Sequence, residues 1–344
     1  MASAYAWIEG FEICKSQNAM TRKYNTVTYG SPSFVGGYQG GTALRVSNTL
    51  TTFRTQSLRI SDAVSKSIGV CFNIRNVPGL ANNTDILIIQ DSAGGDKLSL
   101  RYNSSTNVLD TYYQGALSQA GTITFAADEW AKIYAEVILV AGVALSSFET
   151  RVNGIINTSR TGRAADSGNT DVLKFTVQSS DGAELVYLDD IMAGQAGIGA
   201  MKNSQILVRS TLPNAAGTKS ECTPVGAASN YLCMDDPAGD PDDDLTIVHD
   251  SAGRDLYNYT DLSTSGNILA IQVNVDARIH TSGSKTLKIV HRASGGTETT
   301  GTRSHTINST TYARKVELFE ASPNDDVDWT NSTLNASEFG IDIS

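Results

Sequence analysis

The eleven residues Leu269-Ala-Ile-Gln-Val-Asn-Val-Asp-Ala-Arg-Ile279 constrain this chain more than any other stretch. Leu269, Ile271, Val273, Val275, Ala277 and Ile279 take every second position, and Gln272, Asn274, Asp276 and Arg278 fall between them. Side chains alternate between the two faces of a strand, so one face here is unbroken apolar surface and the other is polar. Such a strand belongs to an antiparallel sheet with one packed side and one wetted or interfacial side. The same period recurs upstream, where Ile68, Val70, Phe72 and Ile74 alternate with Gly69, Cys71 and Asn73. Asp85-Ile-Leu-Ile-Ile89 is instead a short continuous apolar run, the pattern of a strand covered on both faces. The turn Asp91-Ser-Ala-Gly-Gly-Asp96 leads into Leu98–Tyr102, Trp130 opens a strand over Ile133–Leu139, and Phe148–Val152 runs into Asn153-Gly154, the strongest short hairpin signal. With 30 glycines, 7 prolines and many Ser, Thr and Asn residues between short apolar runs, the composition is all-β.

At 344 residues the chain is long enough for two domains, each with its own core. Gly194-Gln-Ala-Gly-Ile-Gly-Ala200 is small, glycine-rich and without periodicity, which marks the boundary. The expected division is a first β-sandwich over 1–196, a linker over 197–204 and a second β-sandwich over 205–344. The second would start with Ile206-Leu-Val-Arg209 and continue through Leu269–Ile279, Thr286–Val290, Tyr312–Phe319 and Phe339–Ile343, about six to eight strands in all.

The formal charge of −10 argues against a nucleic-acid partner, which would need clustered Lys and Arg. The first residues enter a strand directly, and neither a secretion signal nor a membrane-spanning helix is read from the sequence. Cys14 and Cys71 sit in apolar strand patterns as small buried hydrophobes; Cys222 and Cys233 flank a Gly/Ala/Ser loop that a disulfide could close, although a reducing cytoplasm favours free thiols. No zinc-ligand spacing, nucleophile elbow or phosphate loop is present. His249, His280, His291 and His305 stand outside any such motif, and Gly36-Gly37-Tyr-Gln-Gly40-Gly41 reads as a flexible turn. One constellation invites a ligand. Asp235, Asp236, Asp240, Asp242, Asp243 and Asp244 crowd into ten positions and form a candidate calcium site, weighed against a solvated acidic turn with no cofactor at all.

A set of motifs, in order, carries a resemblance: Trp7-Ile-Glu-Gly-Phe-Glu12, Glu129-Trp130, Glu149–Gly154, Glu184-Leu-Val-Tyr-Leu-Asp-Asp-Ile191, Ser210–Thr218, Trp329-Thr330 and Phe339-Gly-Ile341. Taken together they resemble the minor structural proteins of tailed bacteriophages that begin with a concanavalin A-like, or laminin G-like, jelly-roll domain. Glu221-Cys222 departs from the pattern, since such relatives carry a tryptophan there. The resemblance implies two tandem β-sandwiches, the first a jelly roll, in a virion protein that is assembled in the host cytoplasm. It also implies a tail-associated or capsid-decorating role, with copies of itself and other virion proteins as partners, and neither enzyme activity nor membrane insertion. Concanavalin A-like glycosidases space their acids as Glu-x-Asp-x-x-Glu on one strand, which Glu184, Asp189 and Asp190 do not reproduce. The alternative is an adhesin whose jelly roll binds a host-surface glycan. Tyr112 and Tyr113 are then the leading candidates for aromatic faces, with Tyr24 and Tyr29 behind them.

Overall fold

The protein is described by a computed structural model over residues 5–11, 20, 23–28, 33–40, 42–47, 50–55, 67–76, 83–126, 128–140, 146–163, 166, 168–178, 185–234, 246–248 and 253–344. It is almost entirely β and divides into two compact units, Met1–Arg209 and Ser210–Ser344. Among the described residues no helix is long and apolar enough to cross a membrane.

In the first unit the strands are β1 (Tyr5–Glu9), β2 (Tyr24–Thr28), β3 (Ser33–Gly36), β4 (Thr42–Ser47), β5 (Leu50–Thr55), β6 (Ser67–Asn76), β7 (Asp85–Gln90) and β8 (Asp96–Asn103). They continue with β9 (Val108–Tyr113), β10 (Ala116–Gln119), β11 (Trp130–Ile138), β12 (Ser146–Val152), β13 (Ile155–Arg163), β14 (Val172–Gln178) and β15 (Leu185–Gly194). One sheet has the order β13-β12-β11-β6-β15-β4-β3 with β1 also on β15, and the other has the order β10-β9-β8-β7-β14-β5-β2. The chain passes repeatedly between the two sheets, with β3–β4, β7–β10 and β11–β13 each staying within one of them, and the two pack face to face as a jelly-roll sandwich. Ile68, Val70, Phe72 and Ile74 all point into the core as their alternation requires, each at most 1% exposed. Burial of each such side chain contributes about 1.5–3 kcal/mol. Phe72 of the first sheet meets Phe175 of the second edge-on at 5.5 Å, and Phe175 stacks on Phe53 at 5.2 Å. The run Ile86–Ile89 is buried throughout, as its continuous apolar pattern implies. Asn153 and Gly154 join β12 to β13 with φ of 50° and 80°, the left-handed pair that a tight hairpin needs.

Two expectations about residues 195–209 change. The stretch read as a linker carries helix α1 (Gly199–Asn203), whose Met201 is fully buried. Ile206-Leu-Val-Arg209, read as the first strand of the second sandwich, is not a strand, and the first unit extends through Arg209. The physical reason is that this segment finds its hydrogen-bond partners in side chains of the eight-stranded sheet, not in a neighbouring strand's backbone.

The second unit contains β16 (Pro213–Ser220), β17 (Thr223–Val225), β18 (Thr246–Val248), β19 (Gly253–Tyr259), β20 (Ile271–Ala277), β21 (Lys285–Arg292), β22 (Glu298–Thr300), β23 (His305–Ile307), β24 (Ala313–Phe319), α2 (Asn331–Asn335) and β25 (Glu338–Ile343). A sheet of order β16-β19-β25-β21-β22, with β23 on β21, faces the β20–β24 pair. Ile271, Val273, Val275 and Ala277 of β20 pack against Leu287, Ile289, Phe319, Trp329, Phe339 and Ile341. The polar side of β20 carries Asp276, bound by both Nε and Nη2 of Arg314 at 2.9 and 2.6 Å. Cys222 and Cys233 are both buried and are not joined to each other by a disulfide. Their loop is held instead by buried Asp255, whose carboxylate accepts from the backbone N–H of Glu221 (2.6 Å) and Cys222 (2.8 Å), from Tyr257 Oη (3.0 Å) and from Asn230.

Candidate functional site

Strand pairing turns residues far apart in sequence into rows across the outer face of the eight-stranded sheet. Directly paired residues share a face, and Ser33, Arg45, Tyr187, Arg75 and Trp130 pair successively across β3, β4, β15, β6 and β11. The core parity confirms the direction, because the flanking Val186, Leu188, Ile74 and Ala131 all point inward. The next rows along these strands are Asp189, Asn73 and Lys132, then Met192, Cys71, Tyr134 and Arg151, then Gly194, Gly69, Glu136 and Glu149.

The strap of residues 195–209 lies on the last three of these four rows. Gly197 N–H donates to Glu136 Oε2 at 2.7 Å, and Lys202 Nζ pairs with Glu136 at 2.7 Å and Glu149 at 3.3 Å. Arg151 donates to Asn203 Oδ1 at 3.1 Å, Lys132 donates to the Ser204 carbonyl, and Val208 N–H donates to Asp190 Oδ1 at 2.7 Å. Burial, reinforced by the Glu136 carboxylate, pushes the Tyr134 phenol well above its ordinary range.

The first row is different, because its aromatic side chains remain half-exposed. Trp130 meets Tyr187 edge-on at 6.1 Å and Tyr38 at 5.8 Å, making one three-ring patch. Arg75 lies 5.2 Å from the Tyr187 ring and is paired with exposed Asp128 through Nε at 2.9 Å. Arg45 Nε donates to Ser33 Oγ at 2.8 Å. At the Tyr38 end, Gln39 Nε2 donates to Tyr38 Oη at 3.1 Å, and Arg209 donates to the Gln39 carbonyl at 2.8 Å, so the end of the strap closes against this turn.

The glycine-rich turn positions Tyr38. Its N–H donates to Asp189 Oδ2 at 2.8 Å, and a Cβ on Gly37 would lie 2.2 Å from that same oxygen and 2.9 Å from both Ala43 N and Thr42 C. The turn read as flexible is therefore docked, and only glycine fits at its first anchored residue. Asp189 and Asp190 occupy a bulge in β15, where one extra residue stands between the partners of Asn73 and Cys71. Asp190 adopts φ 49°, and Asp189 Oδ1 caps its N–H at 2.8 Å. Burial pushes the Asp190 carboxyl up to about 6, against the opposing bonds from Val208 and Asn73. Both carboxylates are buried and committed to the fold.

The sequence-based candidates fare unevenly. Tyr113 is a core residue, 2% exposed and stacked over Phe148 at 6.4 Å, so it offers no face to a ligand. Its neighbour Tyr112 points outward from the other sheet, with the Arg101 guanidinium 4.1 Å over its ring and Arg101 bound to Asp85 at 2.8 and 2.9 Å. Adjacent strand residues face opposite ways, so the two tyrosines never form one surface. Tyr24 is also buried, packed between Trp7 and Phe53. Asp235, Asp236, Asp240, Asp242, Asp243 and Asp244, together with Tyr29, Glu184, Cys14 and His249, lie outside the described residues. Among the described residues no cluster of three or more metal-ligating side chains occurs. The sequence reading missed Tyr38 and Tyr187 as surface aromatics and took Trp130 only as a strand opener. Parity held the available signal: Tyr187 sits between two core residues, Val186 and Leu188, and so has to face outward.

No family model matches the chain, and no curated protein matches it by sequence. Solved structures that resemble it include the cellulose-induced protein Cip1, at 16% identity over 56% of this chain and 99% of that one, with a TM-score of 0.41. Another is domain 4 of AbnA, a GH43 extracellular arabinanase from Geobacillus stearothermophilus in complex with arabinotriose, at 11% identity over 57% and 94% of the two chains and a TM-score of 0.39. A third is a carbohydrate esterase of the Shiga toxin-encoding bacteriophage phi24B, at 13% identity over 55% and 99% and a TM-score of 0.37.

Proposed function

We propose that the first unit is a glycan-binding module and that the row Arg45, Tyr187, Arg75 and Trp130, with Tyr38, is its binding face. The observation that carries this reading is the half-exposed three-ring patch, set beside guanidinium, amide and carboxylate groups on the row that stays open beside the strap. Sugars present apolar C–H faces that pack on aromatic rings and hydroxyls that pair with flanking polar groups, which is the combination found here. The face binds without catalysing. Asp189 and Asp190, the buried carboxylates beneath it, are engaged with backbone N–H groups, and exposed Asp128 is engaged with Arg75. The setting on a phage particle, on tail or capsid and among copies of itself, rests on the sequence resemblance; the site supports the adhesin reading over that of a purely structural brick.

The test is binding of the intact protein to a panel of soluble polysaccharides by affinity electrophoresis and calorimetry. Trp130→Ala and Tyr187→Ala should each weaken binding, by about 0.5–1.5 kcal/mol per lost ring contact, without changing the thermal transition by more than a degree or two. Retained affinity in both variants would refute this face as the site.

A further inference from the structure

We infer that this face, given the glycan-binding reading above, takes a carboxylate-bearing glycan, one built from uronate or other sugar-acid units. Three guanidinium groups, those of Arg45, Arg75 and Arg209, gather at the row and at the turn beside it, against the exposed carboxylates of Asp128 and Glu129, of which Asp128 pairs with Arg75. This concentration runs against the chain as a whole, which holds 36 acidic and 26 basic residues. Asp128 answers Arg75 alone. Among the described residues no carboxylate pairs with Arg45, whose only polar partner is Ser33 Oγ, so four of its five N–H donors remain to be used. Arg209 is likewise held by carbonyls only, those of Val208 and Gln39. Carbonyl bonds fix the orientation of a guanidinium without neutralising it.

The arrangement of charge and ring is what selects the ligand. Arg45 and Arg75 flank Tyr187 on the strands to either side, and adjacent strands lie about 4.8 Å apart. A pyranose resting on the Tyr187–Trp130 patch would therefore bring an equatorial substituent within reach of one guanidinium or the other. A guanidinium holds a carboxylate through two parallel N–H···O bonds in a way that a neutral hydroxyl cannot match. The acids beneath do not take up these forks: Asp189 and Asp190 are buried and hydrogen-bonded to backbone and amide donors, and although the Asp190 charge reaches Arg209, neither carboxylate makes an ion pair with Arg45, Arg75 or Arg209.

The experiment compares polygalacturonate, alginate and sialylated glycans with their methyl-esterified or neutral counterparts, using the intact protein, with affinity and salt dependence as readouts. Acidic glycans should bind at least about tenfold more tightly than their esters, and that preference should shrink as salt rises. Arg45→Gln should lower affinity for the acidic ligand about tenfold or more, with Arg45→Lys falling between, because lysine keeps the charge and loses the fork. Equal binding of esters and acids would overturn this inference and leave the glycan-binding reading intact. Acid-selective binding indifferent to both Arg45→Gln and Arg209→Gln would overturn it by moving the selectivity elsewhere. Absence of binding to every glycan on the panel would overturn both.

Discussion

Replacing Gly37 by alanine isolates the link between the sandwich and its candidate binding face. The new Cβ would lie 2.2 Å from Asp189 Oδ2 and 2.9 Å from two backbone atoms, Ala43 N and Thr42 C. The backbone atoms belong to the start of β4, where the pairing of Thr42 and Ala43 with Gly36 and Val35 of β3 prevents them from turning aside. The turn or the carboxylate must therefore move, and either motion breaks the 2.8 Å bond from Tyr38 N–H to Asp189. A bond to a buried carboxylate contributes about 1.5–3 kcal/mol, and forcing a methyl group into a filled site costs about 1–3 kcal/mol. The expected loss is about 3–5 kcal/mol, which for a unit of this size lowers the midpoint of thermal unfolding by about 10 °C. Gly36→Ala is the matched control, because a Cβ there meets nothing within 4 Å and should change stability by less than about 0.5 kcal/mol. Calorimetry and circular dichroism on the two variants of the intact chain read the difference. If they unfold within a degree of each other, the turn is not docked as argued, and Tyr38 is not held in the ring patch by Asp189.

Two further outcomes follow from the same contacts. A chain ending at residue 196 should be less stable to urea than one ending at 209 by about 4–6 kcal/mol, since it loses the buried Met201 and Ile206 side chains and the Lys202–Glu136 pair; equal midpoints would show that the strap does not stabilise the sheet. Lys23→Met should cost about 3–5 kcal/mol because it strands Glu9, which is 1% exposed and lies 2.8 Å from Lys23. Burial pushes the Glu9 carboxyl up, yet the Lys23 charge and the bonds from Lys23, Phe11 and Tyr24 more than reverse it, so its folded value lies below 4.5. A carboxyl depressed on folding contributes stability in full above its unfolded value and loses it as pH falls through the folded one. Acid titration of stability should therefore show a Glu9-dependent loss below about pH 4.5 that Glu9→Gln abolishes, and an unchanged acid limb in that variant would refute the assignment.

What the sequence by itself determined was every feature carried by local period. The alternation in Ile68–Ile74 and Ile271–Ile279, the continuous run Ile86–Ile89 and the Asn153-Gly154 turn all appear in the structure where their patterns place them, because side-chain direction along a strand depends only on position parity; Leu269 falls before the strand, where Ile268 packs on the core instead. Parity also disqualifies Tyr112 and Tyr113 as a joint surface, and the structure decides only which of them is inside. Residues 195–209 carry no such period. Their backbone partners are the side chains of Asn73, Lys132, Glu136 and Asp190, which come from three different strands, so nothing local distinguishes a docked strap from a linker. The candidate site is hidden for the same reason: Arg45, Arg75, Trp130 and Tyr187 are spread over more than a hundred residues, and only the pairing register of four strands sets them side by side.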